Sequence, residues 1–265
     1  MNRNWEWREG DSPLIATAVH AGHALSPAFA RATALSEEDR LREEDPYTDA
    51  WTIIAPTRVS VRRSRFEVDL NRPRNEAVYR SGDDAWGGEL WRSELTEQMI
   101  ASSQQKHDDF YGRLGHLLRS VERQFGAFVV YDLHAYNHRR SGPDAPPDDP
   151  EANPDINLGT GSMDRDRWGV VADRFLEDMG AQRVDGKPLD VRENVRFKGR
   201  QLARFVHEHF PRTGCALSIE VKKTFMDEHT GVLHWQRHAE IQQALAATVP
   251  GVVAELTGER QLATL

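Results

Sequence analysis

The sequence holds one cysteine, Cys215, in 265 residues. One thiol cannot close an internal disulfide or build a cysteine-rich zinc site, so a cytoplasmic protein is expected. Long apolar runs are also missing. None approaches the ~18 residues that a membrane span needs. The first eight residues, Met1 to Arg8, carry charge without an apolar stretch, so no signal peptide is expected. No internal repeat and no long low-complexity tract interrupts the chain. Positive charge is in the minority, with 34 Lys and Arg against 42 Asp and Glu and a net charge of -8. That balance argues against a broad nucleic-acid or anionic-membrane footprint and leaves room for a small basic pocket. What the sequence does have is large apolar side chains, including seven Trp and ten Phe. They supply enough burial for a real core in a chain long enough for one large domain.

Hydrophobic patterning predicts a strand over 14–19 that stops at His20-Ala-Gly. Ser26-Pro27 opens a helical stretch that runs to about Glu44, where Asp45-Pro46 breaks it. Strands are expected at 59–61 and 66–70, and a long amphipathic helix at 93–124. A continuous apolar run from Ala127 reads as a buried parallel strand that ends in Asp132-Leu133-His134. Residues 141–153 are rich in Pro and Asp, a loop of the length that serves as a lid or binding loop. Helices at about 168–179 and 199–209, a strand at 216–221 carrying Glu220, and a helix from about His234 complete the chain. Alternation of this kind predicts one α/β domain over 1–265, with a mixed, mostly parallel sheet flanked by helices.

Polar residues at strand ends are the chemical signal, because open α/β sheets bind ligands at the carboxyl ends of their strands. His20, Asp69, His134 and Glu220 all fall there. Two histidines with acids nearby suit a metal, which needs about three protein ligands and an open position for water. Neither His-Glu-x-x-His nor Cys-x-x-Cys is present, so spacing alone leaves open that these are unconnected loop residues. Glu220 lies in an apolar strand. It is either a general base with a raised pKa or half of a structural ion pair. The segment from Arg65 to Arg74 offers Arg and Asn for a carboxylate, or forms a solvated basic turn. Elsewhere His107 and His116 read as surface residues of the long helix. His207 and His209 read as cations favoured by a helix end. Cys215 reads as a small core residue, and Trp86 and Trp91 as packing a loop against the domain.

Taken in order, these pieces resemble the N-formylglutamate amidohydrolases, within the zinc-carboxypeptidase-like and aspartoacylase-like hydrolases. The resemblance rests on His20-Ala-Gly with Pro27, Thr48-Asp49, and Ser64-Arg65-Phe-Glu-Val-Asp69-Leu-Asn71-Arg72-Pro73. It continues through Asp132-Leu-His134, Asn157-Leu-Gly159-Thr, Arg196-Phe-Lys-Gly199 with Arg204, Ile219-Glu220-Val and Phe225-Met-Asp-Glu228. It implies one zinc ion, or another divalent metal, on His20, His134 and a third ligand. Asp49 is the preferred third ligand, with His23, Glu44 and Asp45 as alternatives. It further implies that Asn71 and Arg72 hold a substrate carboxylate, with Arg65, Arg204 and His23 as further contacts. Glu220 is implied as the base that activates water. The implied activity is amide hydrolysis of a small N-acyl amino acid such as N-formylglutamate. His23, the long 141–153 loop and Arg200-Gln201, in place of a Gly-Tyr, depart from the family pattern and bear on the acyl group and the size of the amine.

Three other readings compete, one of them a degenerate hydrolase acting as a scaffold, which the retention of both histidines and the glutamate weighs against. A carboxypeptidase or amidase would act on a larger acyl-amino acid or short peptide. A non-catalytic module would grip an anion with Arg65, Arg72, Arg139 and Arg140, which the net charge and the lack of a stacking platform disfavour.

Overall fold

In the computed structural model residues 4–258 are described. The expected 1–265 domain therefore includes two ends, 1–3 and 259–265, that lie outside the described residues. In chain order the elements are β1 (Trp5–Arg8), β2 (Leu14–Ala18), α1 (Pro27–Ala32), α2 (Glu37–Glu43), α3 (Thr48–Trp51), β3 (Thr57–Val61), α4 (Glu97–Phe125) and β4 (Phe128–Tyr136). There follow β5 (Ile156–Gly159), α5 (Arg165–Gly180), β6 (Arg183–Val184), β7 (Lys187–Pro188), β8 (Val191–Glu193), α6 (Gln201–His209), β9 (Gly214–Lys222) and α7 (Trp235–Thr257).

The main sheet has the order β1-β3-β2-β4-β9-β5-β8. Its centre, β3-β2-β4-β9, is parallel throughout. β1 and β5 add antiparallel pairs, so the sheet is mixed and mostly parallel, as the alternation predicts. β2 connects outward to β3, and the chain then crosses back to place β4 on the other side of β2. The strand order therefore reverses beside β2 and β4, which is where such sheets open a crevice at their carboxyl ends.

Period-two alternation sorts β4 between two cores. Val129, Tyr131 and Leu133 pack with α5 and α7, whereas Phe128 and Val130 pack with α4 and α6. β9 divides likewise, with Leu217 and Ile219 on the first face and Ala216 on the second. On the second face the next alternate positions turn polar: Asp132 and His134 on β4, Ser218 and Glu220 on β9. Buried polar groups cost stability unless they are partnered, and these carry the partners described below.

Several elements depart from expectation. The 26–44 helix is two short helices, α1 and α2, because Ser36 starts the second by accepting from the Asp39 N–H. Residues 66–70 form a turn, not a strand, in which Val68 N–H bonds Ser64 and Asp69 N–H bonds Ala77. His107 is buried on α4, with Nε2 2.9 Å from the Arg72 carbonyl. His207 is not a helix-end cation. Burial pulls its pKa down to about 4, and its Nε2 accepts from the Ala216 N–H. Cys215 is fully buried in the core, as read.

Candidate metal centre and its cavity

The reversal in strand order brings His20, just past β2, next to His134 on β4. Their ring centroids lie 5.0 Å apart. Glu220 sits opposite His134 in the β4–β9 register. Asp45 completes the group from the turn after α2, its Oδ2 lying 3.4 Å from His20 Nδ1 and 3.0 Å from His134 Nδ1. His20, Asp45 and His134 are buried and offer ligand atoms that all fall within 4.8 Å of one another.

Each imidazole is held from behind. His20 Nε2 lies 2.7 Å from Asp69 Oδ1. Asp69 also accepts from Arg65, from the Asn71 N–H and from the Tyr79 hydroxyl. Burial works against its charge, but His20 and Arg65 hold its carboxyl well below the usual range. His134 Nε2 lies 3.1 Å from Asp132 Oδ2 and 3.2 Å from the Asn71 amide nitrogen. Asp132 is itself anchored by the Thr17 hydroxyl at 2.9 Å.

These contacts bear on the tautomer that a metal would need. Leu202 N–H donates to Asn71 Oδ1, so the Asn71 amide turns its NH2 toward His134. The Asn71 NH2 can donate to His134 Nε2 when the ring proton sits on Nδ1; holding a metal through Nδ1 instead requires the proton on Nε2, where Asp132 Oδ2 lies 3.1 Å away. Both Nδ1 lone pairs then point at Asp45. Two lone pairs and a carboxylate at this spacing repel unless a cation lies among them. In the metal-free protein a proton supplies that charge. Burial opposes it, yet Asp132, Asp45 and Glu220 push the His134 pKa well above its usual value. Burial likewise opposes ionised Asp45, but the two histidines hold its carboxyl far below the usual range. A divalent ion fits the same place: two imidazole nitrogens and one carboxylate oxygen are a zinc-type donor set. Carboxylates behind the imidazoles are the usual outer support of such a set.

The group lines a cavity of about 140 Å³. Glu220 borders it, and burial raises its carboxyl pKa to about 7, with the charges of the neighbouring histidines opposing the rise. Arg65 and Arg72 border it too, and Trp86 lies over the Arg65 guanidinium at 4.7 Å. Arg140 joins the rim with two hydrogen bonds to Glu43, each 3.1 Å. Arg72 stacks on Tyr79 at 4.7 Å, and its buried Nε has no hydrogen-bond partner. Arg200 reaches the cavity from the start of α6, and among the described residues its guanidinium has no bonded partner. Gly199, at φ +83°, delivers it: a Cβ there would meet Ser218 Oγ at 2.9 Å. Lys223 is buried on the cavity wall, and burial pulls its ammonium down to about 8.

The structure thus brings together His20, His134, Glu220, Arg65, Asn71 and Arg72. It does not bring in Asp49, which is exposed on α3 and borders a separate surface groove with Trp5 and Arg113. The turn at Asp45-Pro46 points the earlier acid inward and leaves Asp49 one helical turn too far along. His23 is turned away to Glu44, 2.5 Å from its Nδ1, and to Arg40. Glu44 is buried but spends itself on His23, Ser64 and Arg40. Arg204 is exposed on α6 and does not border the cavity, where Arg200 stands instead. The 141–153 loop contributes no cavity-lining residue, although Arg140 immediately before it does. Sequence reasoning missed Arg200 and Lys223 as site residues. The signal for Arg200 was its place beside Gly199. For Lys223 it was an ammonium three residues after a strand glutamate.

The N-formylglutamate amidohydrolase family model matches residues 12–226. Among solved structures, an N-formylglutamate amidohydrolase from Ralstonia eutropha JMP134 aligns with TM-score 0.71 at 19% identity, over 95% of this chain and 97% of that one. A gene product from Agrobacterium tumefaciens aligns with TM-score 0.65 at 16% identity, over 100% and 96%. At these identities the two structures show a shared fold. No curated protein matches the sequence significantly.

Proposed function

The chain belongs to the N-formylglutamate amidohydrolase family, and from that premise we propose that it is a zinc-dependent hydrolase that splits N-formylglutamate, or a close N-acyl amino acid, into its acid and free amine. The observation that carries this reading is the convergence of His20, Asp45 and His134 beside Glu220. In this reading those three residues hold the metal, with Asp45 in the place that the resemblance gave to Asp49. Zinc at such a site polarises a carbonyl and lowers the pKa of water from ~15.7 toward ~7.

The chain's own residues supply the rest. Glu220, whose buried carboxyl borders the same cavity, takes a proton from the attacking water and returns it to the leaving nitrogen. Arg65 spends three N–H groups on Tyr79, Glu43 and Asp69. Of the five that a guanidinium carries, two remain to face developing negative charge on the amide oxygen. Asn71 and Arg72 orient the substrate's α-carboxylate. Arg200, a rim cation without a bonded partner among the described residues, takes a second carboxylate. A site of about 140 Å³ with this much positive charge suits a small dianion better than a peptide. The buried Glu220 beside two oriented imidazoles tells against a passive anion module, which has no use for such a base.

The test is formate release from N-formyl-L-glutamate by the purified protein, chelator-treated or reloaded with zinc, beside N-acetylglutamate and a dipeptide. Turnover of formylglutamate only in the reloaded sample is expected. No hydrolysis of any of the three by zinc-loaded protein would overturn the reading.

A further inference from the structure

Lys223 is 1% exposed, and a buried ammonium is costly unless it has a partner or a task. Its Nζ donates to the carbonyls of Arg42, at 2.5 Å, and Glu44, at 2.7 Å. Between them the Glu43 carbonyl accepts from Arg65 at 3.2 Å. Three consecutive carbonyls at the end of α2 are therefore held by two cations, the buried Lys223 and the part-buried Arg65. The last carbonyls of a helix lack partners within it, and they carry the negative end of its dipole. The next residue is Asp45. Its N–H donates to the His20 carbonyl at 3.0 Å, and its own carbonyl accepts from the Thr48 hydroxyl at 2.7 Å. Lys223 is anchored in turn, its N–H donating to the Tyr136 carbonyl at the end of β4. One short path thus links the strands that carry His134 and Glu220 to the turn that carries Asp45.

We infer that Lys223 is a positioning residue for the metal centre: by clamping the end of α2 it fixes the Asp45 carboxylate against the two imidazoles and so sets metal affinity. The inference rests on the metal reading proposed above and gives a role to a residue which that reading does not use.

The experiment is zinc affinity, by competition with a chelator of known strength, for the wild type, Lys223→Met, Lys223→Gln and Lys223→Arg, with the melting temperature of each metal-free protein. Loss of a support behind a metal ligand typically costs about 10–100-fold in affinity. That loss is expected for Lys223→Met. A smaller loss is expected for Lys223→Gln, which keeps a donor, and near-recovery for Lys223→Arg. In an Asp45→Ala background Lys223→Met should cost nothing further, because the two act through one ligand. A role in stability alone predicts lower melting temperatures with unchanged affinity, and that result overturns the inference. So does an equal affinity loss in the Asp45→Ala background. If Lys223→Met does not fold, Lys223→Gln decides on the same readout. A wild type that binds no zinc overturns the metal reading itself, and this inference with it.

Discussion

At the scale of single residues, Glu220 carries a conflict between stability and chemistry. Its carboxyl is raised to about 7 by burial, while an exposed glutamate titrates near ~4.3. A carboxyl whose folded pKa is raised binds its proton more tightly in the native state. Its destabilising effect is therefore absent below ~4.3 and grows as pH rises toward 7. Metal-free Glu220→Gln should melt higher than the metal-free wild type at pH 8, and the advantage should vanish below about pH 4. The same variant should keep its zinc and lose ~10²–10⁴-fold in kcat, the usual cost of removing a general base. In the wild type, kcat/KM should fall on the acid side as the base protonates, and that limb should be missing from the residual activity of the variant. Near-normal kcat in folded, zinc-loaded Glu220→Gln would remove the residue from the mechanism. Arg200 invites a comparison of substrates. If its guanidinium reads a second carboxylate, Arg200→Gln should raise KM for N-formylglutamate by about 10-fold or more, since a charged hydrogen bond is worth ~1.5–3 kcal/mol. N-formylglutamine should be nearly unaffected, and an equal change for both substrates would assign Arg200 to general positioning only.

Among the elements, the entry to the 141–153 loop depends on one acid. Glu228 is buried and accepts the backbone N–H groups of His138 and Arg139 at the end of β4. Burial works against its charge, yet the hydrogen bonds to His138 and Arg139 hold its pKa down at about 2. A depressed carboxyl contributes stability above its unfolded value, ~4.3, and that contribution is lost as pH falls toward 2. Glu228→Ala should therefore lower the melting temperature most at pH 5–7, by about 2–3 kcal/mol in stability. The gap from the wild type should close as pH falls from ~4.3 to ~2, and a pH-independent gap would mean that the ionised carboxylate is not what holds the loop. What the sequence revealed of these elements follows from their physics. β4 and β9 were legible because both faces are buried, which leaves a continuous apolar run ending in the site's own polar residues. β1, β5 and β8 are three or four residues long and were missed, since so short a segment carries too little pattern. Residues 66–70 misled because Phe66, Val68 and Leu70 alternate with Glu67 and Asp69, yet both sets are buried. The acids turn inward to Ser26, Arg63, His20 and Arg65, so the alternation records a polar knot and not a half-exposed strand. His20, His134 and Glu220 were readable because each ends or follows a strong strand. The third residue of the cluster was not, because Asp45 and Asp49 lie one helical turn apart in a stretch without periodicity, and only the folded turn separates them.

On the scale of the whole molecule, the metal reading couples the site to global stability. The ligands come from the end of β2, the end of β4 and the turn after α2, segments brought together only by folding. The unfolded chain has no such preformed site, so an ion that binds the native state stabilises it by RT ln(1 + [L]/Kd). At a free zinc concentration 100 times Kd this amounts to about 2.7 kcal/mol. Each kcal/mol moves the melting temperature of a domain of this size by roughly 2–4 °C. Zinc should therefore raise it by roughly 5–11 °C over chelated protein, by the product of those two estimates. The shift should grow with the logarithm of zinc concentration once the site is saturated. Its dependence on pH distinguishes the site from adventitious surface binding. Zinc must displace the proton that the three carboxylates hold on His134, so binding should release protons and the zinc-induced shift should shrink as pH is lowered. His134→Ala removes a ligand and its proton together. It should abolish the high-affinity shift while leaving the metal-free protein folded, since two of the carboxylates that faced the imidazole, Asp45 and Asp132, keep His20 and Thr17 as partners. A zinc-induced shift that survives in His134→Ala would place the ion elsewhere on the molecule.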